Sequence, residues 1–340
     1  MAHSEPERAQ SRRTRSTADA VRRRLVLILT VPALLLAHWA YSAAGQLLYD
    51  PGKAPYGKPP LPGGSRETPI AWPEQGQAAL ALGSGRAAAS PHQEPAPIAS
   101  LAKVMTAYVT LERHPLRGEQ EGFTITVSAA QAQAEARESA QGASVVAVRP
   151  GERLTERELL QALLIPSGNN IAQMLATAVA GSESGFLEEM NAQADALGMR
   201  RTTYTDPSGF DPGTVSTAAD QLRLLRRAMR FAVFRGIVSM PSVTLPVAGT
   251  LTNFNPLIAA GFAGKTGSDS AAGGCLAFFT RVTSGGRRLT AAGVVMGQGG
   301  GSDTRALLRA AGEAAERLVG SAVGAPVIRE RGRGAPGVPG

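Results

Sequence analysis

Ser100 and Lys103 stand three residues apart in Pro97-Ile98-Ala99-Ser100-Leu101-Ala102-Lys103-Val104-Met105-Thr106-Ala107-Tyr108, an apolar stretch of helical periodicity with one hydroxyl and one amine set into it. Residues three apart on a helix share a face, so the spacing predicts an amine one turn from the serine oxygen and able to reach it. That is a nucleophile beside a base. A serine hydroxyl is a poor nucleophile at neutral pH, and an amine can take its proton only while burial and neighbouring positive charge keep the amine partly neutral. Bringing a lysine from ~10.4 to about 7 costs roughly 4–5 kcal/mol of preference for the charged form, so the pair calls for an enclosed cleft.

Lysine usage sharpens the reading. Only four of the thirty-five Lys and Arg side chains are lysines: Lys53, Lys58, Lys103 and Lys265. The first two fall in a proline-rich stretch, so the body of the chain uses arginine wherever a positive charge suffices and keeps lysine for positions 103 and 265. Arginine does not deprotonate in a protein, and a base at position 103 could not be an arginine. A Ser-x-x-Lys spacing also arises by chance about once in a chain of this length, so the pair needs company. Two further candidates are Ser167-Gly168-Asn169, which taken alone reads as a helix-helix turn, and Gly264-Lys265-Thr266-Gly267-Ser268.

Composition excludes other chemistries. Of the formal charge of +8, residues 1–24 and 325–340 carry most, with seven arginines against three acids and three against one, which leaves no basic face that calls for nucleic acid. The single cysteine, Cys275, forbids an internal disulfide framework and reads as a small core residue. The four histidines are His3, His38, His92 and His114, so a Ser-His-Asp triad or a histidine zinc site would have to be built from the last two.

The elements that must position these residues follow from pattern. Arginines at 12, 13, 15 and 22–24 precede an uncharged apolar run from Leu25 to Gly45, long enough at about 31 Å of helix to cross a bilayer with the N-terminus inside. Ser42-Ala43-Ala44 would serve a signal peptidase, so a cleaved signal competes with a retained anchor; both export the rest. The division expected is a basic cytoplasmic tail (1–24), an anchor or signal segment (25–45), a Pro/Gly-rich linker (46–75), a catalytic domain (76–320) and a disordered tail (321–340). Within the domain the pattern predicts a strand at Gln77–Leu82, the Ser100 helix fading at Arg113, a strand at Thr124–Val127 and a helix over Ala129–Ala140. Thr155 with Glu158 forms a capping box ahead of a helix that breaks at Pro166, and a second helix runs from about Asn170 to Ala180, which leaves Ser167 and Asn169 on the tight loop between. Further helices are expected from Phe186 to a stop at Gly198, from Thr217 to about Met229, and from Ser302 or Asp303 to about Leu318. Gly274–Val282 and Leu289–Gly297 form a hairpin across Ser284-Gly285-Gly286-Arg287.

Ser100/Lys103, Ser167/Asn169 and Lys265-Thr266-Gly267, in that order, resemble the active-site trio of penicillin-binding serine enzymes and serine β-lactamases. The flanking segments are similar to the low-molecular-mass D-alanyl-D-alanine carboxypeptidases: Leu163-Leu164-Ile165-Pro166-Ser167-Gly168-Asn169-Asn170, Asp206-Pro207-Ser208-Gly209-Phe210-Asp211 and Ser216-Thr217-Ala218-Ala219-Asp220 among them. The resemblance covers roughly residues 76–320. It implies an α+β fold of the β-lactamase/transpeptidase type, an antiparallel sheet flanked by helices with a mostly helical subdomain, and an active site at the junction. It further implies that Ser100 attacks the carbonyl between two D-alanines while Lys103 takes its proton and Ser167 relays one to the leaving amine. Asn169 would bond the substrate amide, Lys265, Thr266 and Gly267 would flank the terminal carboxylate, and the backbone N–H groups of Ser100 and Ser268 would form the oxyanion hole. No cofactor and no metal is implied. The implied partners are a peptidoglycan stem peptide, β-lactams as covalent inhibitors, and a membrane through the N-terminal segment, which would place the catalytic domain outside the cytoplasm, or free of the cell if the segment is cleaved.

Three functions are compatible with such a trio. One is a serine-type carboxypeptidase, or a D,D-transpeptidase or endopeptidase on the same substrate. The second is a class A-like β-lactamase, whose deacylating glutamate lies downstream of the second motif; the stretch between Glu189 and Glu313 holds no glutamate. The third is a catalytically weak wall-binding protein, against which the completeness of all three motifs argues.

Overall fold

The computed structural model describes residues 70–324. The expected basic tail, the Leu25–Gly45 segment, all but the last residues of the linker, and the terminus from 325 lie outside the described residues. Among the described residues no helix is long and apolar enough to cross a membrane.

The described residues open with β1 (Gln77–Leu82) and the two-residue strands β2 (Ala88–Ala89) and β3 (Ala96–Pro97). A 3-10 turn at Ala99–Leu101 leads straight into α1 (Ala102–Arg113). A helical region follows: β4 (Thr124–Thr126), α2 (Ala129–Ala140), β5 (Arg153–Thr155), α3 (Glu156–Leu164), α4 (Asn169–Ala180) and α5 (Glu183–Ala196). Next come β6 (Val215–Ser216), α6 (Ala218–Ala228), α7 (Ala232–Val238) and the small hairpin β7 (Ser242–Leu245) and β8 (Gly249–Thr252). The last segment returns to the sheet with β9 (Ala263–Asp269), β10 (Gly273–Ser284) and β11 (Arg287–Gln298), and closes with α8 (Thr304–Val323).

Five strands form one antiparallel sheet in the order β2-β1-β11-β10-β9. Alternation along each strand sorts its side chains to two faces. Ala79, Ala81, Cys275, Ala277, Val294 and Met296 join the larger apolar cluster with α1, α3, α4 and α6. Ala78, Leu80, Leu276, Phe278 and Val295 join the smaller one under α8. The first strand therefore pairs with the last, and the helical region is an excursion between them.

α1 is the axis of the larger cluster. Every residue from Ala102 to Leu111 is buried, Lys103, Thr106 and Thr110 included, so this helix is wrapped on all sides rather than laid on a surface. Helix starts are fixed by side chains. Thr155 Oγ1 accepts from the Glu158 N–H while Glu158 Oε2 accepts from the Thr155 N–H, the capping box that the sequence predicts. Thr217 and Asp303 cap α6 and α8.

Three features differ from expectation. Ser100 lies in the 3-10 turn, outside the α-helix, because Ala99 has φ of 44°, a value that no right-handed helix accepts. Asn169 is the first residue of α4, so the loop between α3 and α4 holds Ser167 but not Asn169. The third motif sits on a strand, β9, and α7 with the β7-β8 hairpin had no clear sequence pattern.

Candidate active site

The Ala99–Leu101 turn is held from two sides. Gly267 on β9 lies so close that a Cβ there would stand 2.8 Å from the Ile98 carbonyl oxygen and 3.1 Å from the Ser100 nitrogen. Gly209, at φ of 78°, approaches closer still, with room for no Cβ at all: one would fall 1.8 Å from the Ala99 carbonyl oxygen. Both positions need glycine because backbone meets backbone. The unfavourable φ of Ala99 persists because strand and loop together leave the turn no alternative.

Lys103 rises from the first turn of α1, fully buried, and its amine meets three oxygens: Ser100 Oγ at 2.7 Å, Asn169 Oδ1 at 2.7 Å and the Ser208 carbonyl at 2.9 Å. A neutral amine has two N–H bonds and a lone pair. The amide oxygen of Asn169 and the backbone oxygen of Ser208 can only accept, so they take the two N–H bonds. The lone pair is then left for the Ser100 hydroxyl. Burial holds the Lys103 amine well below the usual lysine range, the nearby Lys265 charge lowers it further, and Asp206 and Glu138 pull the other way.

Lys265 projects from β9, also buried, and donates to Ser167 Oγ at 2.9 Å and to the Thr266 carbonyl at 2.8 Å. Burial brings its proton affinity down to about 7. Ser167 is buried and sits at φ of 66°, so it and Ala99 are the two non-glycine residues with positive φ among the described residues. Two strained positions therefore lie at the two serines of one cluster. The strand period places Lys265 and Gly267 on the same side of β9, with Thr266 and Ser268 alternating with them. Ser268 pairs in register with Gly274, and β9 is the edge of the sheet.

Of the residues marked in the sequence, Ser100, Lys103 and Asn169 are thus in direct contact, and Lys265 and Ser167 form a second contact pair. Gly267 packs on the turn, and Thr266 and Ser268 follow on the same strand. The Ser208 carbonyl is not foreshadowed by any motif, because a backbone oxygen has no residue type. What holds that oxygen is a compact loop. Asp206 Oδ2 accepts from the Ser208 N–H at 3.1 Å, the Ser208 hydroxyl at 2.6 Å and the Phe210 N–H at 3.0 Å, while Oδ1 accepts from Thr214 Oγ1 at 2.7 Å. The loop is pinned to α1 by Thr106, whose hydroxyl donates to the Pro207 carbonyl at 2.5 Å. An Asp-Pro-Ser-Gly turn was legible in the sequence as a turn, but its service to the lysine was not.

A buried amine and a serine hydroxyl at hydrogen-bond distance, under the edge strand of an antiparallel sheet, define a serine acyl-transfer centre that uses lysine as its base. A family model described as D-alanyl-D-alanine carboxypeptidase, peptidase S11, matches residues 83–300. The chain belongs to that family. It is 34% identical over 253 residues to D-alanyl-D-alanine carboxypeptidase DacB2 of Mycobacterium tuberculosis, covering 72% of this chain and 79% of that protein. Among solved structures, a D-alanyl-D-alanine carboxypeptidase from M. tuberculosis H37Rv is 33% identical with a TM-score of 0.55, covering 67% of this chain and 84% of that one. The Streptomyces K15 DD-transpeptidase shares the fold at a TM-score of 0.62 and 23% identity, covering 74% of this chain and 99% of that one. The fold is the β-lactamase/transpeptidase type that the motifs imply.

Proposed function

We propose that the chain removes the terminal D-alanine of peptidoglycan stem peptides by two acyl transfers on Ser100. The observation that carries this is the Lys103 amine, buried between two obligate acceptors with its lone pair free for the Ser100 hydroxyl. In the first transfer Ser100 Oγ bonds to the carbonyl carbon between the two D-alanines as its proton passes to Lys103. The carbonyl becomes an oxyanion, received by the backbone N–H groups of Ser100 and Ser268. Collapse breaks the C–N bond, and the proton held by Lys103 passes through Ser167 to the leaving amine, which leaves Lys103 neutral again. In the second transfer water attacks the Ser100 ester and gives a proton to Lys103; collapse breaks the bond from the carbonyl carbon to Ser100 Oγ, Lys103 returns the proton to that oxygen, and the shortened peptide leaves with a free carboxyl group.

Substrate charge enters this scheme through Lys265. At a proton affinity of about 7 the amine is divided between its two forms, and the terminal carboxylate of the peptide favours the charged one. A charged Lys265 in turn depresses the proton affinity of Lys103. Asn169 orients Lys103 with its oxygen and offers its amide nitrogen to the peptide, and Thr266 and Gly267 line the path of the carboxylate. The free edge of β9 suits an extended peptide laid alongside it. β-Lactams present a strained amide to the same oxygen and acylate it. The segment from Leu25 to Gly45 tethers the enzyme to the membrane, or directs its export, with the catalytic domain on the wall side.

The decisive experiment combines two readouts on one preparation. A pentapeptide ending in D-alanyl-D-alanine should yield free D-alanine, and penicillin should block the release while adding one mass equivalent to the peptide that contains Ser100. Penicillin labelling without D-alanine release would reduce the protein to a wall-binding role.

A further inference from the structure

Helix α6 carries Arg223, Arg226 and Arg227, and Arg230 follows two residues past its end. Their spacing places them on one face of the helix, where like charges three and four apart repel one another. All four line a single cavity of about 410 Å³ over an apolar floor that includes Leu197 and Leu222. The cavity shares no residue with the Ser100 cluster. Arginine is the default cation of this chain, so it is the convergence of four into one concavity, not their type, that asks for a reason.

The acids nearby do not balance them. Asp220 pairs with Arg223 at 3.7 Å, and Arg223 also donates to the Gly198 carbonyl at 3.1 Å. Glu112 is hydrogen-bonded to Tyr108, whose hydroxyl feels the charges of Arg227 and Arg230. Among the described residues no ion pair engages Arg226, Arg227 or Arg230; the Asp220 pair falls to Arg223. The C-terminal end of a helix welcomes a cation or two, which accounts for Arg226 and Arg227 on the last turn but not for walls of charge around a cavity.

We propose that this cleft binds a phosphate-bearing polymer, with Arg226, Arg227 and Arg230 as the groups that hold it. The three side chains are exposed and follow the helix axis, a linear run of forks suited to successive oxyanions rather than to one isolated ion. A lipid surface presents the same phosphates, but a protein that docks on one also buries apolar side chains among the headgroups. The large apolar side chains that stand exposed among the described residues are Phe210 and Phe254, and neither lines this cleft. Arginine forks over a recessed floor match a flexible polymer that enters the concavity. Such a contact would hold the enzyme on an anionic matrix while the catalytic cleft, built from other residues, stays open to peptide.

The test uses the full chain and its Arg226→Gln/Arg227→Gln/Arg230→Gln variant, which is expected to fold because all three side chains are exposed. Inorganic polyphosphate of defined length is titrated against each at several salt concentrations, with penicillin labelling of Ser100 as the check that both are folded. Since the basic N-terminal stretch is common to both proteins, only their difference counts. The expected result is binding about tenfold or more weaker in the variant, with a shallower salt dependence and unchanged labelling. Equal affinity and equal salt slope in the two proteins would overturn the proposal. So would an arginine-dependent difference seen only with phosphatidylglycerol vesicles and not with polyphosphate, which would assign the cleft to a lipid surface.

Discussion

Lys103 and Glu156 are both buried ionisable groups, and burial pushes both toward neutrality, yet their surroundings differ in every other respect. The Lys103 amine has an oxygen for each direction in which it can bond, and one of those oxygens is the Ser100 hydroxyl. Glu156, at the start of α3, is pushed up to about 7 and has one carboxylate oxygen, Oε1, with no partner. Its other oxygen is crowded by Gly122, where a Cβ would fall 2.1 Å away, and the Phe123 backbone and Arg157 favour the charged form only weakly against burial. A shifted proton affinity is therefore a poor guide to chemistry on its own. At Lys103 the shift comes with a complementary array and a reacting group; at Glu156 it comes with an unfilled bond and a loop to hold down.

The comparison can be broken at its strong end first. Ser100→Ala should abolish covalent labelling by penicillin while leaving the thermal transition intact; full labelling of the variant, read by mass spectrometry, would put the nucleophile elsewhere. Lys103→Arg should come next, with acylation slower by a factor of about 10²–10⁴, since a permanent cation cannot take the serine proton. Lys265→Arg should retain much more activity. In the wild type kcat/KM should fall on the alkaline side as Lys265 loses its proton, and a permanent cation at that position should remove that limb. Equal losses in the two arginine variants would erase the distinction between base and carboxylate anchor.

A subtler effect belongs to Asp206, whose charge raises the proton affinity of Lys103 while its oxygens hold the Ser208 loop. Asp206→Asn should move the acid limb of acylation to lower pH, because Lys103 then stays neutral further down. A uniform loss of rate with no displacement of the limb would reduce Asp206 to a loop brace. The smallest effect should be a gain. A group whose affinity for protons rises on folding stabilises the protonated fold, so wild-type stability should decline as pH climbs from about 4.5 through about 7. Glu156→Gln should flatten that decline, matching wild type near pH 5 and exceeding it at pH 8 by on the order of 1 kcal/mol, with labelling unchanged. Chemical denaturation at the two pH values checks it.

What the sequence disclosed follows the range of the forces involved. Capping at Thr155 and Thr217, the stop at Gly198 and the Ser284–Arg287 turn are local, and each stands where its side chains require. β9 escaped because Ala-Gly-Lys-Thr-Gly-Ser-Asp has no apolar alternation and a single β-branched residue, Thr266; it is a strand because β10 pairs with it along its whole length. Ala99 escaped because nothing in an alanine foretells a positive φ imposed by two distant glycines. The chemical residues were visible because their types are rare or reactive, and the Ser208 carbonyl was hidden because every residue has one.

The glycine contacts on the Ser100 turn also decide when the chain acquires a working nucleophile. Gly209 and Gly267 arrive from segments synthesised long after Ser100, and the second belongs to a strand that cannot settle before β10 is in place. An unfolded chain thus carries Ser100 and Lys103 as an ordinary serine and an ordinary, protonated lysine. Reactivity is therefore a property of the assembled turn, not of the segment that carries the two residues. Covalent capture by a β-lactam would then serve as a stopwatch for the completion of folding.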